Sequence, residues 1–343
     1  MAEPSTTLAG RSLELSPELA KLARESDEDA ERALAENSRR GYAYDWKTFR
    51  AFCAHHKLDA LPADPQTIAM YYRHLANLGR KFATIDRARA GIRHYHRDYG
   101  YTSPTDDPQV EKRLRGIANN LGRANTQKAA LLDEHLRKII RMIDKRTLMG
   151  KRDRALLVFG WCTAMRGSAI CNVDVEHLSW SYDDDGIELL DVYVPRSKTD
   201  QTGKGKTKRL ARFDDPDIEP IDAVRDWLGA IGNPTSGPLF LPLTPDSKHV
   251  MQKRLTSRTV SRIVQKHTGI AELNGSFASH SIKRGVLSSG ARAQLSMNDL
   301  MKTGDHVTPQ PQYFDDAILA ADLPITRIVQ RRKRTGVGDK QPS

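Results

Sequence analysis

A polar, basic segment, Gly122-Arg123-Ala124-Asn125-Thr126-Gln127-Lys128, separates two stretches of chain whose apolar residues keep different rhythms, and it most limits the folds open to this sequence. It offers neither a helical nor a strand face to a core, so it reads as a linker. With 343 residues the chain is long enough for a domain on each side. Upstream, apolar residues recur at helical spacing: Trp46, Phe49 and Cys53, then Ile68, Tyr71, Tyr72, Leu75 and Leu78, then Ile85, Ala88, Ile92 and Tyr95. A fourth helix, opened by Thr105-Asp106-Asp107-Pro108, runs through Val110, Leu114 and Ile117. Pro62-Ala63-Asp64-Pro65 breaks the chain, with Asp64 as N-cap and Pro65 as first helical residue. The expectation is an all-helical bundle of four or five helices.

Downstream the pattern is mixed. Leu132-Asp133-Glu134-His135 starts a helix, and Arg152 to Met165 forms a strongly apolar one. Gly186 to Val194 reads as a strand, Thr202 to Lys206 as a turn, and Arg209 to Phe213 as the returning strand. Helices are expected at 222–230, 257–269 and 280–292. The fold class is therefore mainly α with a small antiparallel β-sheet. The expected boundaries are an N-terminal arm over 1–30, a helical domain over 31–121, the linker 122–128, a second domain over 129–328 and a basic tail over 329–343.

Charge narrows the partners. Lys and Arg number 54 against 43 acidic residues, a net charge of +11, and the pI is near 9.5. That balance favours a polyanion, whose phosphates would supply most of the non-specific affinity, although a merely basic protein would look the same on charge alone. Cys53, Cys162 and Cys171 are odd in number and widely spaced, so neither a disulfide framework nor a metal site is indicated. No apolar run is long enough to span a bilayer and no signal peptide is visible, so an intracellular protein is expected.

The chemistry-bearing residues come in a fixed order. Ala164-Met165-Arg166-Gly167-Ser168 places an arginine after the apolar helix, and Pro195-Arg196-Ser197-Lys198-Thr199-Asp200 a lysine on the hairpin. His280-Ser281-Ile282-Lys283-Arg284-Gly285 sets a histidine beside cations. Gly304-Asp305-His306 adds a second histidine, and Tyr313 follows. A planar guanidinium can hold two phosphate oxygens at once, histidine moves protons, and a tyrosine oxygen is a nucleophile. Each residue also has a plainer reading: Arg166 as a helix C-cap, His280 as a core histidine, Tyr313 as packing.

This order resembles the active-site series of the tyrosine site-specific recombinases, the phage-integrase family. The stretch from Asn37 to Phe49, the loop Leu61 to Pro65 and the run Leu114-Arg115-Gly116-Ile117 resemble that family's SAM-like core-binding domain. Arg152 to Leu157 and Arg196 to Gln201 resemble its catalytic domain. The resemblance implies DNA cleavage and rejoining without metal, ATP or cofactor, through a 3′-phosphotyrosine at Tyr313. Arg166, His280, Lys283 and His306 would surround the phosphate, and Lys198 would act as general acid. It also implies double-stranded DNA as partner, a homo-tetramer on paired sites, and docking of the segment from Ala317 to Ile328 on a neighbouring protomer.

Three departures stand out. Ala169 replaces an acidic residue that would orient Arg166, leaving Asp174 as a substitute. Lys283 replaces the second arginine. The family's second histidine or tryptophan usually follows a glycine, nine residues before the tyrosine; here Gly304 itself lies nine before Tyr313, Asp305 occupies the post-glycine place, and His306 lies only seven before. These changes keep open a recombinase-derived DNA-binding protein without catalysis. DNA contacts are expected from Arg39, Arg40, Lys47, Arg50, Lys81 and Arg87 in the helical half. In the second half they are expected from Lys204, Lys206, Arg258, Arg262 and Arg284.

Overall fold

The computed structural model describes residues 36–122, 127–195 and 205–306, with isolated positions at 16, 18–19, 21–22, 25 and 308. The chain divides into two compact units, Met1–Thr126 and Gln127–Ser343.

The first unit is helical among its described residues: α1 (Glu36–His56), α2 (Pro65–Asn77), α3 (Phe82–Asp98) and α4 (Pro108–Leu121), with a 3-10 turn at Pro104–Asp106. Its boundaries are set by local chemistry. Asp64 accepts from the Gln66 amide at 2.7 Å ahead of Pro65. Asp107 likewise accepts from Gln109 and Val110 ahead of Pro108. In both cases a carboxylate satisfies amides that the first helical turn leaves open. Trp46, Phe49, Tyr71, Tyr72, Ile85, Ile92 and Val110 fill the core. Leu78 departs from the expected stripe: it is the C-cap of α2 and stands 57% exposed, because Gly79 at φ 70° turns the chain away.

The second unit contains α5 (Asp133–Met142), α6 (Leu148–Cys162), α7 (Gly167–Cys171), β1 (Leu178–Tyr182), β2 (Glu188–Val194) and β3 (Lys206–Ala211). These are followed by α8 (Pro220–Ala230), α9 (Ser257–Ile270), α10 (Ser279–Arg292) and α11 (Met297–Gly304). The sheet is antiparallel in the order β1-β2-β3. β1 was not expected from the sequence, although Leu178, Trp180 and Tyr182 alternate with serines; it is a short edge strand with an exposed surface. The returning strand starts and ends earlier than expected. Lys206 pairs with Val194 and Ala211 with Leu189, so Lys206 and Lys208 are strand residues and Phe213 lies beyond the ladder.

Helix α6 is the spine, buried along Arg152–Gly160 and packed between α8 and α10. It ends at Cys162, short of the expected Met165. Ala164 takes a left-handed conformation at φ 51°, and Arg166 becomes the N-cap of α7 rather than the C-terminal residue of α6. Inside this layer Asp153, wholly buried, is held by Arg152 at 2.6 Å and by His267 of α9 at 2.7 Å. Burial alone would raise its carboxyl; hydrogen bonding from His267 and the Arg152 charge hold it below the usual carboxylate value.

Candidate active site

Two close approaches assemble the site. A Cβ on Gly167 would fall 2.5 Å from Ser279 Cβ, so only glycine lets the start of α7 pack on the start of α10. Ser261 of α9 reinforces that junction, donating to Ser279 Oγ at 3.1 Å and accepting from the Ser279 amide at 3.2 Å. Arg166 and His280 flank the two residues in contact. At the other end of the first turns, a Cβ on Gly285 would fall 1.8 Å from the Leu131 carbonyl oxygen. The Leu131 amide in turn donates to the Ser281 carbonyl at 2.9 Å. The helix carrying the histidine box is thereby fixed against backbone on two sides.

Arg166 is half-buried, and among the described residues its guanidinium has no hydrogen-bond or ion-pair partner. Asp174 does not orient it: that carboxylate accepts from Arg254 at 2.6 Å, and Arg254 also holds the Cys171 carbonyl at the end of α7. His280, second residue of α10, is exposed.

Lys283 and Arg284 both point inward. Lys283 is 1% exposed, and its amine donates to the Gly304 carbonyl at the end of α11. Burial pulls its pKa down to about 7, with the neighbouring Arg166 charge acting in the same direction and Asp305 opposing. Arg284 is 6% exposed and donates to Gln127 Oε1. As a buried side chain it is withdrawn from the expected set of DNA contacts, because one residue along α10 turns it by roughly 100°.

His306 folds back over Gly304, where a Cβ would fall 2.5 Å from its ring. Burial, Lys283 and Arg166 push its pKa down to about 4, and His280 adds to the effect. Arg166, His280, Lys283 and His306 therefore share one electrostatic neighbourhood despite their separation in sequence. Asp305, between glycine and histidine, accepts from Lys206 and from Lys208 of β3. This contact is absent from the sequence reading; the only signal was the acidic residue standing in the post-glycine place. Lys198, Lys204 and Tyr313 lie outside the described residues.

The other expected cations differ in exposure and in their partners. Arg258 and Arg262 are exposed on the first turns of α9, one turn apart and without a protein partner among the described residues. Lys47, Arg50 and Lys81 are exposed on the first unit. Arg39 and Arg40 pair with Glu36, and Arg87 holds buried Asp45 through two bonds of 2.7 and 2.9 Å. Arg87 is thus a structural clasp between α1 and α3. Burial raises the thiols of Cys53, Cys162 and Cys171, to about 11, 12 and 11, and none is a plausible thiolate nucleophile. No group of three metal-ligating side chains is gathered among the described residues, and no described helix is long and apolar enough to cross a membrane.

Comparison with known proteins gives this arrangement a lineage. Residues 130–310 match the phage integrase family, and residues 29–98 match the phage integrase N-terminal SAM-like domain. The chain belongs to the phage integrase family of tyrosine recombinases. It is 27% identical over 307 residues to an integrase/recombinase XerD homolog of Selenomonas ruminantium, covering 88% of each chain. To the tyrosine recombinase XerD of Staphylococcus aureus it is 24% identical over 288 residues, 80% of this chain and 88% of the relative. Among solved structures, a lambda integrase dimer bound to a COC′ core site aligns with a TM-score of 0.53 at 15% identity, covering 85% of this chain and 95% of that one. The Tn1549 transposon integrase in complex with transposon right end DNA aligns with a TM-score of 0.53 at 13% identity, covering 92% and 98%. These likenesses establish a shared fold: a SAM-like helical domain and a mostly helical catalytic-type domain with a small antiparallel sheet.

Proposed function

We propose that this protein is a DNA strand-exchange enzyme that cleaves and rejoins double-stranded DNA at specific sites through Tyr313. The supporting observation is that Arg166, without a protein partner among the described residues, meets His280 at the packed starts of α7 and α10, in a chain of this family. In the proposed step the Tyr313 oxygen attacks phosphorus, the bond to the 5′-oxygen breaks, and a 3′-phosphotyrosine remains. The phenol titrates near pH 10, so its proton must pass to a neighbouring base, for which exposed His280 is suited. Arg166 holds two non-bridging oxygens, whose charge grows in the transition state. Lys198 returns a proton to the departing 5′-oxygen. Rejoining runs the same step backward, so the phosphodiester bond energy is conserved and neither ATP nor metal enters the balance.

Lys283 supplies charge from behind this surface, since its amine is committed to the Gly304 carbonyl. Exposed Arg258, Arg262, Lys47, Arg50 and Lys81 are the proposed phosphate contacts. Paired recombination sites imply a tetramer of this chain, with the segment from Ala317 to Ile328 as the proposed contact between protomers.

Asp305 in the post-glycine place and the inward turn of Lys283 favour a second reading, a DNA binder that has lost cleavage. One experiment separates the two. A nicked duplex whose released fragment diffuses away should trap a covalent adduct in the presence of chelator, and Tyr313→Phe should abolish it while leaving duplex binding nearly unchanged. Tight binding to its own site without any adduct from the wild-type protein would leave only the binder.

A further inference from the structure

Among the described residues Asp305 is the one acidic group beside Lys206, Lys208 and Lys283, and its position is over-determined. It sits in the left-handed region at φ 51°, which aspartate tolerates better than most side chains, and ends α11 by donating its amide to Lys302. The next amide, of His306, donates to the Met301 carbonyl at 3.0 Å, and Lys283 grips the Gly304 carbonyl. The backbone that presents the carboxylate is therefore anchored from three directions.

Its partners are equally specific. Lys206 and Lys208 alternate along β3 and so face the same side of the sheet. Both amines bond to Asp305, the Lys208 contact measuring 2.8 Å, and Lys208 also donates to the Thr303 carbonyl at 3.0 Å. The Lys208 and Asp305 side chains are only 12% and 20% exposed, so this pair is shielded from the screening that weakens surface ion pairs. Without the carboxylate, Lys206, Lys208, Lys283 and Arg166 would confront one another with no counter-charge among the described residues. β3 is also an edge strand, paired on one side with β2 alone.

We propose that Asp305 is a positioning residue: through Lys206 and Lys208 it clamps strand β3 to the end of α11, and so fixes the strand ends from which the Lys198 connection departs and to which it returns. Its catalytic consequence rests on the strand-exchange reading above, whereas the clamp itself does not. In the full-length protein, Asp305→Asn keeps the shape and removes the charge. Amide hydrogen exchange over β3 should accelerate about tenfold, the scale of one lost charge-assisted hydrogen bond, while α1 to α4 exchange at the wild-type rate. Single-turnover cleavage of the nicked duplex should slow about tenfold, with duplex affinity unchanged or tighter because a negative charge is gone. Asp305→Glu should recover part of both losses, and adding Lys206→Met to Asp305→Asn should cost little more, as expected for two residues acting through one contact.

Unchanged β3 exchange in Asp305→Asn overturns the clamp. Faster β3 exchange with cleavage at the wild-type rate overturns the positioning role. If wild-type protein forms no adduct, the strand-exchange reading fails while the exchange comparison still decides the clamp. Should Asp305→Asn fail to fold, Asp305→Glu against wild type carries the same two measurements.

Discussion

Two groups of cations in the second unit look alike in sequence and differ in the structure. At the starts of α7 and α9, Arg166, Arg258 and Arg262 have no protein partner among the described residues. At the corner between β3 and α11, three cations are spoken for: Lys206 and Lys208 by Asp305, Lys283 by the Gly304 carbonyl. A basic side chain left without a counter-charge has hydrogen-bonding capacity to give to phosphate; one already bonded inside the protein holds the scaffold. Composition cannot tell the two apart.

The largest effect expected from this contrast is at Arg166. Arg166→Ala should slow adduct formation by about 100- to 1000-fold, the scale seen for loss of one transition-state donor, with little change in thermal stability. A comparable loss of stability would move Arg166 into the occupied class.

Asp153 tests the opposite extreme, a buried carboxylate held chiefly by the buried Arg152 and His267. Asp153→Asn should cost about 3 kcal/mol in denaturant unfolding, because Arg152 is left buried beside a weaker partner. Its carboxyl lies below the ordinary value, so the stability it lends is present above the unfolded pKa and fades as pH falls through the folded one. The wild-type minus Asn difference should therefore shrink in acid.

Lys283 offers a smaller and pH-dependent signal. Its folded pKa of about 7 lies below that of an unfolded lysine, so between these values the unfolded chain binds more protons. The burial penalty is full below the folded pKa and is relieved as pH rises towards the unfolded one. Wild-type stability should gain from this group between neutral and alkaline pH, and Lys283→Met should flatten that gain. Identical pH slopes in the two proteins would mean the amine is not buried as described.

The smallest effects belong to the exposed arginines. Arg258→Ala or Arg262→Ala should reduce the slope of log affinity against log salt by about 1 each. Arg87→Ala, bonded to Asp45, should leave the slope alone and instead weaken the helical unit. Equal salt responses from Arg87 and Arg258 would erase the contrast between free and occupied cations.

How far these assignments were legible follows from where the physics resides. Asp64 before Pro65 and Asp107 before Pro108 announce their helices because an N-cap acts within three residues of itself. The order Arg166, His280, Lys283, His306 was readable as a family pattern, and the cores of α1 to α4 as periodicity. Strand β1 was not read, although Leu178, Trp180 and Tyr182 alternate with two serines at strand spacing; five residues are a short signal, and both faces of the edge strand are largely exposed. The end of α6 was misjudged because Thr163 to Met165 are buried and apolar in character whether or not they are helical.

By itself the sequence determined which elements form, where most of them begin, and which residues can do phosphate chemistry, since each of these depends on neighbours a few positions away. Only the tertiary structure decided what each cation does. Whether Lys283 faces a phosphate or the Gly304 carbonyl depends on where α11 packs against α10, and Asp305 finds Lys206, 99 residues earlier, only because β3 lies beside the end of α11. Charge–charge energy falls with distance in space, and distance in space is what the fold alone supplies.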